Sequence, residues 1–253
     1  MALTAKSMFL YNLQVTTQNS SLDFIGTLAG PTLQATLTLG FYSLTDLMAE
    51  IKMAMEAVDN LHTYTVTADR TFSGGTQNRV TISTSGSFLS ILFATGPRSA
   101  SNCAGLIGFV TANQTGATTY TGTNTAGTTL VPALVGYNYV PTTNMRNIFG
   151  SLNISTTGQK EAVVFQIQEF FQVQFKYEPT ATIVLTWPDL MNWMIQQRPL
   201  EFTPEVTAPN TFYNCTLEKT SFDGKGLGFS MKELLPQFPG LWDTGLLTFR
   251  KKV

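Results

Sequence analysis

The sequence predicts a β-rich α+β fold of two β-sheet modules, each with one amphipathic helix. Short segments that alternate apolar and polar residues recur along the 253 residues, and two other segments repeat apolar residues at helical spacing. Charged residues make up only 12% of the chain, about half the share that is usual in soluble domains. We expect the modules to span residues 1–150 and 151–253, with the boundary near 147–158.

The first module begins with a strand followed by a helix. Alternation over residues 32–42 predicts a half-buried strand, whose inner face would carry Leu33, Ala35, Leu37 and Leu39. A helix is predicted over residues 44–58, because Ser43 is a favourable N-cap and Asp46 follows three residues later. The apolar residues expected to form its buried face are Leu44, Leu47, Met48, Ile51, Met55 and Val58.

A hairpin and a further strand follow this helix. Residues 63–68 and 79–83 alternate as strands do, and Gly74 and Gly75 between them can adopt the positive φ angles that a hairpin connection needs. Residues 87–93 are mostly apolar, which predicts another strand or a buried segment.

The first module then continues as a neutral segment rich in threonine and glycine. No carboxylate occurs between Asp69 and Glu161. A short helix is expected from Ser99 to Gly108, which is a favourable C-terminal residue. Residues 111–129 have few apolar anchors, so we predict a long Thr/Gly-rich loop there and expect it to contact a neighbouring molecule.

The second module is predicted to contain one long strand and one helix. Residues 161–177 alternate between apolar residues and glutamine, except at Glu169 and Phe170, where we expect a bulge or a crossing between sheets. A helix over 187–197 is predicted because Thr186 can cap it and Asp189 lies at the capping-box position. Extended segments at 212–217 and 246–249 are expected to flank a short helical piece at 231–235.

Residues able to support catalysis are scarce. The chain has one histidine, His62, and two cysteines, Cys103 and Cys215. We expect His62 to pack in a loop after the first helix, and both thiols to be buried and inert, because no cationic residue adjoins either cysteine. The sequence therefore predicts no nucleophile and no catalytic residue, and we expect a protein that is not an enzyme.

Metal and phosphate sites are not indicated either. One histidine, two distant cysteines and carboxylates without the spacing of a calcium loop make no ligand set. Residues 224–228, GKGLG, lack the spacer and the Ser or Thr of a phosphate-binding loop, so a tight loop is predicted. We therefore expect no metal, no cofactor and no small-molecule substrate.

Paired carboxylates could hydrolyse a glycosidic bond. The candidates are Asp189, Glu201, Glu205, Asp223 and Asp243. Asp189 is explained as a helix-capping residue, and Glu201 and Glu205 flank a proline in a predicted turn. Nothing in the sequence brings any two of these carboxylates together, so glycosidase activity is not predicted.

The charge balance and the hydropathy pattern limit the expected partners. Fifteen basic and sixteen acidic side chains leave no excess positive charge to neutralise phosphates, so no nucleic-acid partner is expected. No run of apolar residues is long enough for a spanning helix, and residues 1–15 lack the apolar core of a secretory signal. We expect neither a membrane location nor secretion by the general route.

Two stretches of the sequence resemble structural proteins of tailed bacteriophages. Residues 33–109 carry a strand, a Gly-Phe-Tyr-Ser turn into an amphipathic helix, a hairpin and a closing LIGF, a pattern similar to a module of tailed-phage and other virus particles. Residues 187–206, WPDLMNWMIQQRPLEFTPEV, and the final TGLLTFRKKV are similar in order to tail and baseplate proteins.

The resemblance implies a non-enzymatic virion component that is made in the host cytoplasm and contacts copies of itself and other virion proteins. A place in the tail or baseplate is expected. One alternative is a capsid decoration or head-fibre protein. Another is an adhesin that binds host carbohydrate, for which Trp187, Trp193 and Trp242 could supply stacking surfaces, although core packing is the better interpretation of the first two.

Overall fold

A computed structural model describes residues 7–71, 77–132, 145–154, 160–205, 211–220, 231–234 and 237–252. These residues form many short strands and few helices, which confirms the β-rich α+β class. They group into two compact units. The N-terminal unit comprises Ser7–Leu130 together with Arg198–Phe212, and the C-terminal unit comprises Val131–Gln197 together with Tyr213–Val253. The N-terminal unit is thus completed by a segment that lies far along the chain.

Antiparallel strands form the body of the N-terminal unit. They are β1 (Met8–Tyr11), β2 (Leu13–Val15), β3 (Ser21–Ile25), β4 (Leu33–Thr36), β5 (Gly40–Tyr42), β6 (Tyr64–Ala68), β7 (Val80–Thr84), β8 (Leu89–Ile91), β9 (Gln114–Ala117), β10 (Thr119–Thr121), β11 (Thr128–Leu130) and, after three strands of the other unit, β15 (Leu200–Thr203). They pair in the orders β4-β3-β8-β9, β10-β7-β6, β2-β5 and β11-β1-β15.

The helix of this unit, α1 (Leu44–Val58), has the predicted bounds. Its buried face carries Leu44, Leu47, Ile51 and Met55, each with no exposed surface, and Met48 and Val58 are partly buried beside them. The Ser43 hydroxyl accepts the Asp46 N–H at 3.1 Å, as the capping spacing predicts. The helix therefore closes one side of the core that the surrounding strands form.

The predicted strand over residues 32–42 is wrong as a single element. It is divided into β4 and β5, which pair with different strands. Ala35 and Leu37 are buried as expected, but Leu39 is exposed. The alternation was correct locally, but it could not show that the chain changes sheets between Thr36 and Gly40.

The predicted loop over residues 111–129 is also wrong. This segment contributes β9, β10 and the start of β11, and each pairs with a different strand of the N-terminal unit. Tyr120 provides an anchor, because its buried hydroxyl accepts the Ala117 N–H and donates to the Leu89 carbonyl, both at 2.8 Å. Strands of three or four residues are too short for alternation to identify them.

Other predictions for this unit are confirmed in outline. β6 and β7 form the expected antiparallel hairpin, although Gly74 and Gly75 lie outside the described residues. The strand expected at 87–93 is present as β8. The short helix after residue 99 is only a 3-10 turn, Ser99–Ser101, followed by further turns.

A buried ion pair holds the returning segment in the N-terminal unit. The Arg70 guanidinium donates to both oxygens of Glu201 on β15, and Arg70 Nη1 lies 2.5 Å from Glu201 Oε2. Glu201 also accepts the Thr45 N–H at 2.7 Å, in the first turn of α1, where a negative charge is favoured by the helix dipole. Arg70 further stacks on Phe212, 4.4 Å from the ring centre. One carboxylate thus connects α1, β15 and Arg70, the second residue after β6.

The C-terminal unit has a sheet with the order β16-β19-β13-β12 and a small sheet with the order β14-β18-β17. Its elements are β12 (Met145–Ile154), β13 (Lys160–Gln174), β14 (Glu178–Pro179), α2 (Thr180–Leu185), α3 (Trp187–Ile195), β16 (Tyr213–Thr220), β17 (Lys232–Glu233), β18 (Leu241–Asp243) and β19 (Leu246–Lys251). The predicted long strand is confirmed as β13, and the predicted helix as α3.

Several details of this unit differ from the prediction. The helical piece expected at 231–235 is wrong at its described residues, because Lys232–Glu233 pairs with β18 as a strand. The register irregularity in β13 lies where Phe149 and Gly150 pair with Gln166 and Val164, not at Glu169 and Phe170. An unpredicted helix, α2, precedes α3, so the Thr186 hydroxyl donates to the Thr182 carbonyl and does not cap α3.

We expect Arg70→Met to lower the free energy of unfolding by about 3 kcal/mol, because the substitution leaves the Glu201 carboxylate buried without a counter-ion. Urea unfolding measures this loss. The control is Lys52→Met, which removes an exposed 4.0 Å pair with Glu56 and should cost less than about 1 kcal/mol. The double substitution Arg70→Met with Glu201→Leu should recover much of the loss. Equal effects of Arg70→Met and Lys52→Met would contradict the role of the pair.

Candidate functional site

The single histidine lies in a hydrogen-bonded cluster after α1. Asp59 accepts hydrogen bonds from the Tyr64 hydroxyl at 2.5 Å, the Leu61 N–H at 3.0 Å and, within 3.0 Å, His62 Nδ1. Gly26 and Gly86 lie so close to the His62 ring and Asp59 that a Cβ on either would clash. His62 is therefore packed within a loop, as expected, and its ring is oriented by Asp59.

This cluster affects the pKa values of two of its members. Burial raises the pKa of Asp59, but the hydrogen bonds from Tyr64, Leu61 and His62 more than offset burial, and the pKa lies below its ordinary value. Burial and the neighbouring Asp59 raise the pKa of the Tyr64 hydroxyl well above 10. The arrangement stabilises a carboxylate beside a neutral phenol, and this stabilises the loop.

The two cysteines are buried in different units. Cys103 belongs to the core of the N-terminal unit and has no exposed surface, and Cys215 lies on β16 with 2% of its surface exposed. Burial raises the pKa of the Cys103 thiol to about 12, so this thiol is protonated at neutral pH. Neither position offers a thiolate at the surface.

The candidate carboxylates do not form a catalytic pair among the described residues. Glu201 is occupied by Arg70 and by the first turn of α1. Asp189 lies exposed in the first turn of α3, and Glu205 is exposed after β15. The Asp243 carboxylate accepts the Gln174 amide and the Gly245 N–H. Asp223 lies outside the described residues, as do residues 224–228.

Two of the three tryptophans are core residues. Trp187 is fully buried, its ring lies 5.8 Å from that of Phe175, and its indole N–H donates to Glu178 at 3.2 Å. Trp193 has only 3% of its surface exposed. Trp242 on β18 is partly exposed, and its indole N–H donates to Thr180 at 3.0 Å. Only Trp242 could therefore offer a stacking surface.

A long two-stranded ribbon extends from the sheet of the C-terminal unit. β12 pairs with β13 from Met145↔Phe170 to Ile154↔Lys160, whereas β19 pairs only with Phe170–Gln174 of β13. The pairs from Arg146↔Glu169 onward therefore continue past the end of β19, for about 30 Å at the usual rise per residue. We name residues 146–154 and 160–169 the ribbon.

The ribbon has open edges. In the part of the chain that the structure describes, no third strand pairs with β12, and none pairs with residues 160–169 on the side away from β12. Its nineteen residues include four charged residues, Arg146, Lys160, Glu161 and Glu169, and no proline. Isolated two-stranded ribbons are at best marginally stable in water, and open edges are templates for pairing with another chain. The sequence interpretation missed this feature, because residues 147–158 were expected to separate two modules.

Arg250 and Lys251, near the end of the chain, lie on β19, which pairs with β13 on one side and with β16 on the other. Arg250 lies 3.6 Å from Glu218, and Lys251 lies 3.8 Å from Glu169. Lys251 Nζ also lies 4.1 Å from the ring centre of Tyr213. These cations therefore have partners within their own unit and provide no basic patch for phosphates.

No protein-family model matches the chain, and no curated protein sequence matches it. Within the described ranges no group of three or more histidine, cysteine, aspartate or glutamate residues could hold a metal ion. No helix in those ranges is both long and apolar enough to cross a membrane. The feature with the clearest functional implication is thus the ribbon.

Asp59 should make stability depend on pH in the acid range. Because its pKa is lower in the folded chain than the ordinary value of 3.8, the carboxylate contributes stability above that value and loses it as the pH falls through the lowered pKa. Urea unfolding from neutral pH to pH ~3 should therefore show a steeper loss for the natural protein than for Asp59→Asn. Asp189→Asn, at an exposed position, is the control and should keep the steep profile. Parallel profiles for the natural protein and Asp59→Asn would contradict this assignment.

Both thiols should resist alkylation in the folded protein. At about pH 8, iodoacetamide should modify neither Cys103 nor Cys215, whereas both should react after denaturation, because burial excludes the reagent and keeps the Cys103 thiol protonated. Mass spectrometry counts the modified cysteines. In Cys215→Ala, which isolates Cys103, rapid alkylation of the folded protein would contradict the burial of this thiol.

Proposed function

We propose that the protein is a non-enzymatic structural component of a phage particle and assembles as an oligomer in the tail or baseplate. The ribbon carries this proposal. Its strands have backbone N–H and C=O groups along both outer edges, and pairing with strands of a neighbouring copy would satisfy them. The resemblance of residues 33–109 and 187–206 to phage structural proteins points to the particle in which this assembly occurs.

The low share of charged residues in the whole chain, 12%, supports an assembled state. Soluble strand edges are commonly protected by lysine or proline, and the ribbon has one lysine, Lys160, and no proline. Val184 and Leu185 at the end of α2 have 63% and 76% of their surfaces exposed, and they form a second apolar surface on the C-terminal unit. A chain that is permanently surrounded by neighbours needs less surface charge for solubility than a free monomer does.

Oligomerisation through the ribbon is tested by two truncations that leave the pairing of β13 with β19 intact. In the first, residues 149–166 are replaced by Asn-Gly, which joins the facing residues Ile148 and Ile167. In the second, residues 152–162 are replaced by Asn-Gly, which joins the facing residues Ser151 and Val163. Native mass spectrometry should find a defined oligomer for the natural protein and a monomer for the first truncation, which is the long one. The second, short truncation should form an oligomer that dissociates more readily.

Circular dichroism and urea unfolding of both truncated proteins at low concentration serve as the folding control. An oligomer of unchanged size in the long truncation would show that the ribbon is not the contact, and a strictly monomeric natural protein at high concentration would contradict assembly. Labelling of the chain in imaged phage particles separates a tail or baseplate position from a position on the capsid.

A further inference from the structure

A surface cavity lies beside the small sheet of the C-terminal unit. It has a volume of about 400 Å³, which is within the usual range for pockets that bind small molecules. Its walls are formed by residues 176–177 after β13, by β17, by the turn before β18 and by the last residue of β18. The lining residues include Lys176, Tyr177, Lys232, Glu233, Phe238 and Asp243.

The acidic walls of this cavity are fixed by hydrogen bonds. Asp243 accepts the Gln174 amide at 2.9 and 3.0 Å and the Gly245 N–H at 2.7 Å. Glu233 Oε1 accepts the Gly240 N–H at 2.8 Å. These bonds hold both carboxylates in place, and each carboxylate keeps lone pairs that can accept a further hydrogen bond.

Two aromatic rings form another part of the cavity wall. Tyr177 and Phe238 pack edge to face with ring centres 5.3 Å apart, and Phe238 has 44% of its surface exposed. Tyr177 has a backbone φ of +63°, which is strained for a bulky residue and is characteristic of functional positions. The Tyr177 ring packs on Phe238, and the exposed part of Phe238 provides an apolar surface beside the polar groups.

Two lysines, Lys176 and Lys232, line the cavity beside the two carboxylates. Among the described residues, neither Lys176 nor Lys232 forms an ion pair. The two carboxylates, in contrast, already accept hydrogen bonds from the protein. A ligand with a negative group would therefore find free ammonium donors, and a ligand with hydroxyl groups would find fixed acceptors.

We propose that this cavity binds an acidic sugar, a hexuronic acid residue, on the surface of the assembled protein. The sugar carboxylate binds Lys176 and Lys232, its hydroxyls donate to Asp243 and Glu233, and its apolar C–H face packs on Tyr177 and Phe238. The proposal goes beyond the structural role, and it stands or fails separately, because ligand binding and oligomer mass are measured independently.

Equilibrium dialysis of the full chain against glucuronate and against glucose tests the proposal. Glucuronate has a carboxylate where glucose has a hydroxymethyl group, and the two sugars are otherwise the same. Glucuronate should bind about tenfold more tightly than glucose, since hydrogen bonds between charged groups are stronger than those between neutral ones. Lys232→Met should reduce this preference, and Lys232→Met combined with Lys176→Met should remove it, while glucose binding stays unchanged. Phe238→Ala should weaken the binding of both sugars.

Lys52→Met is the matched control, because Lys52 lies on α1 in the N-terminal unit, and this variant should retain the full preference for glucuronate. Equal binding of the two sugars by the natural protein would overturn the proposal. So would an undiminished preference in Lys232→Met combined with Lys176→Met, in a protein whose circular dichroism spectrum is unchanged.

Discussion

The N-terminal unit depends on the ion pair and the hydrogen bonds of the buried Glu201 carboxylate. This carboxylate neutralises Arg70 and accepts a backbone N–H in the first turn of α1, and it lies on a strand that returns from the later part of the chain. A buried charge is tolerated only when its partners are complete. The position of the returning strand is therefore coupled to the start of α1 and to Arg70, two residues after β6. None of these can move without exposing a charge to an apolar environment.

Other buried carboxylates of this unit also have hydrogen-bond partners. Asp23 is buried and binds the Arg98 guanidinium and its backbone N–H, while Arg98 also donates to the Ala35 carbonyl and thereby links β3 to β4. Asp59 is likewise occupied by Tyr64 and His62. Although only 12% of the residues are charged, several carboxylates connect segments of the chain inside this unit. Some of the few charged residues are thus buried inside this unit. We propose that assembly covers surface that would otherwise need more charge.

Local elements could be predicted where one periodicity extends over many residues. α1 was predicted to its last residue, since its apolar stripe and the Ser43 cap are local signals. β13 and α3 were predicted for the same reason. The strands within 111–129 were missed, because three-residue strands have too few residues to establish a period. The ribbon was missed, because the sequence of β12 alone does not show that this segment is a strand paired with β13.

The sequence by itself determined the fold class, the bounds of α1, the presence of β13 and α3 and the burial of both cysteines, since these follow from local hydrophobic periodicity and composition. It also indicated that Trp187 and Trp193 are core residues. Only the tertiary structure decided that Glu201, read as a turn residue and as a weak catalytic candidate, is the buried partner of Arg70. The tertiary structure also decided the ribbon, because only the strand pairing shows that β12 and β13 continue past the end of β19 with open edges. It decided the cavity beside β17 as well, because residues 176–177 and 232–243 are separated by tens of residues in the chain. Contact over such a distance is set by packing and not by local sequence.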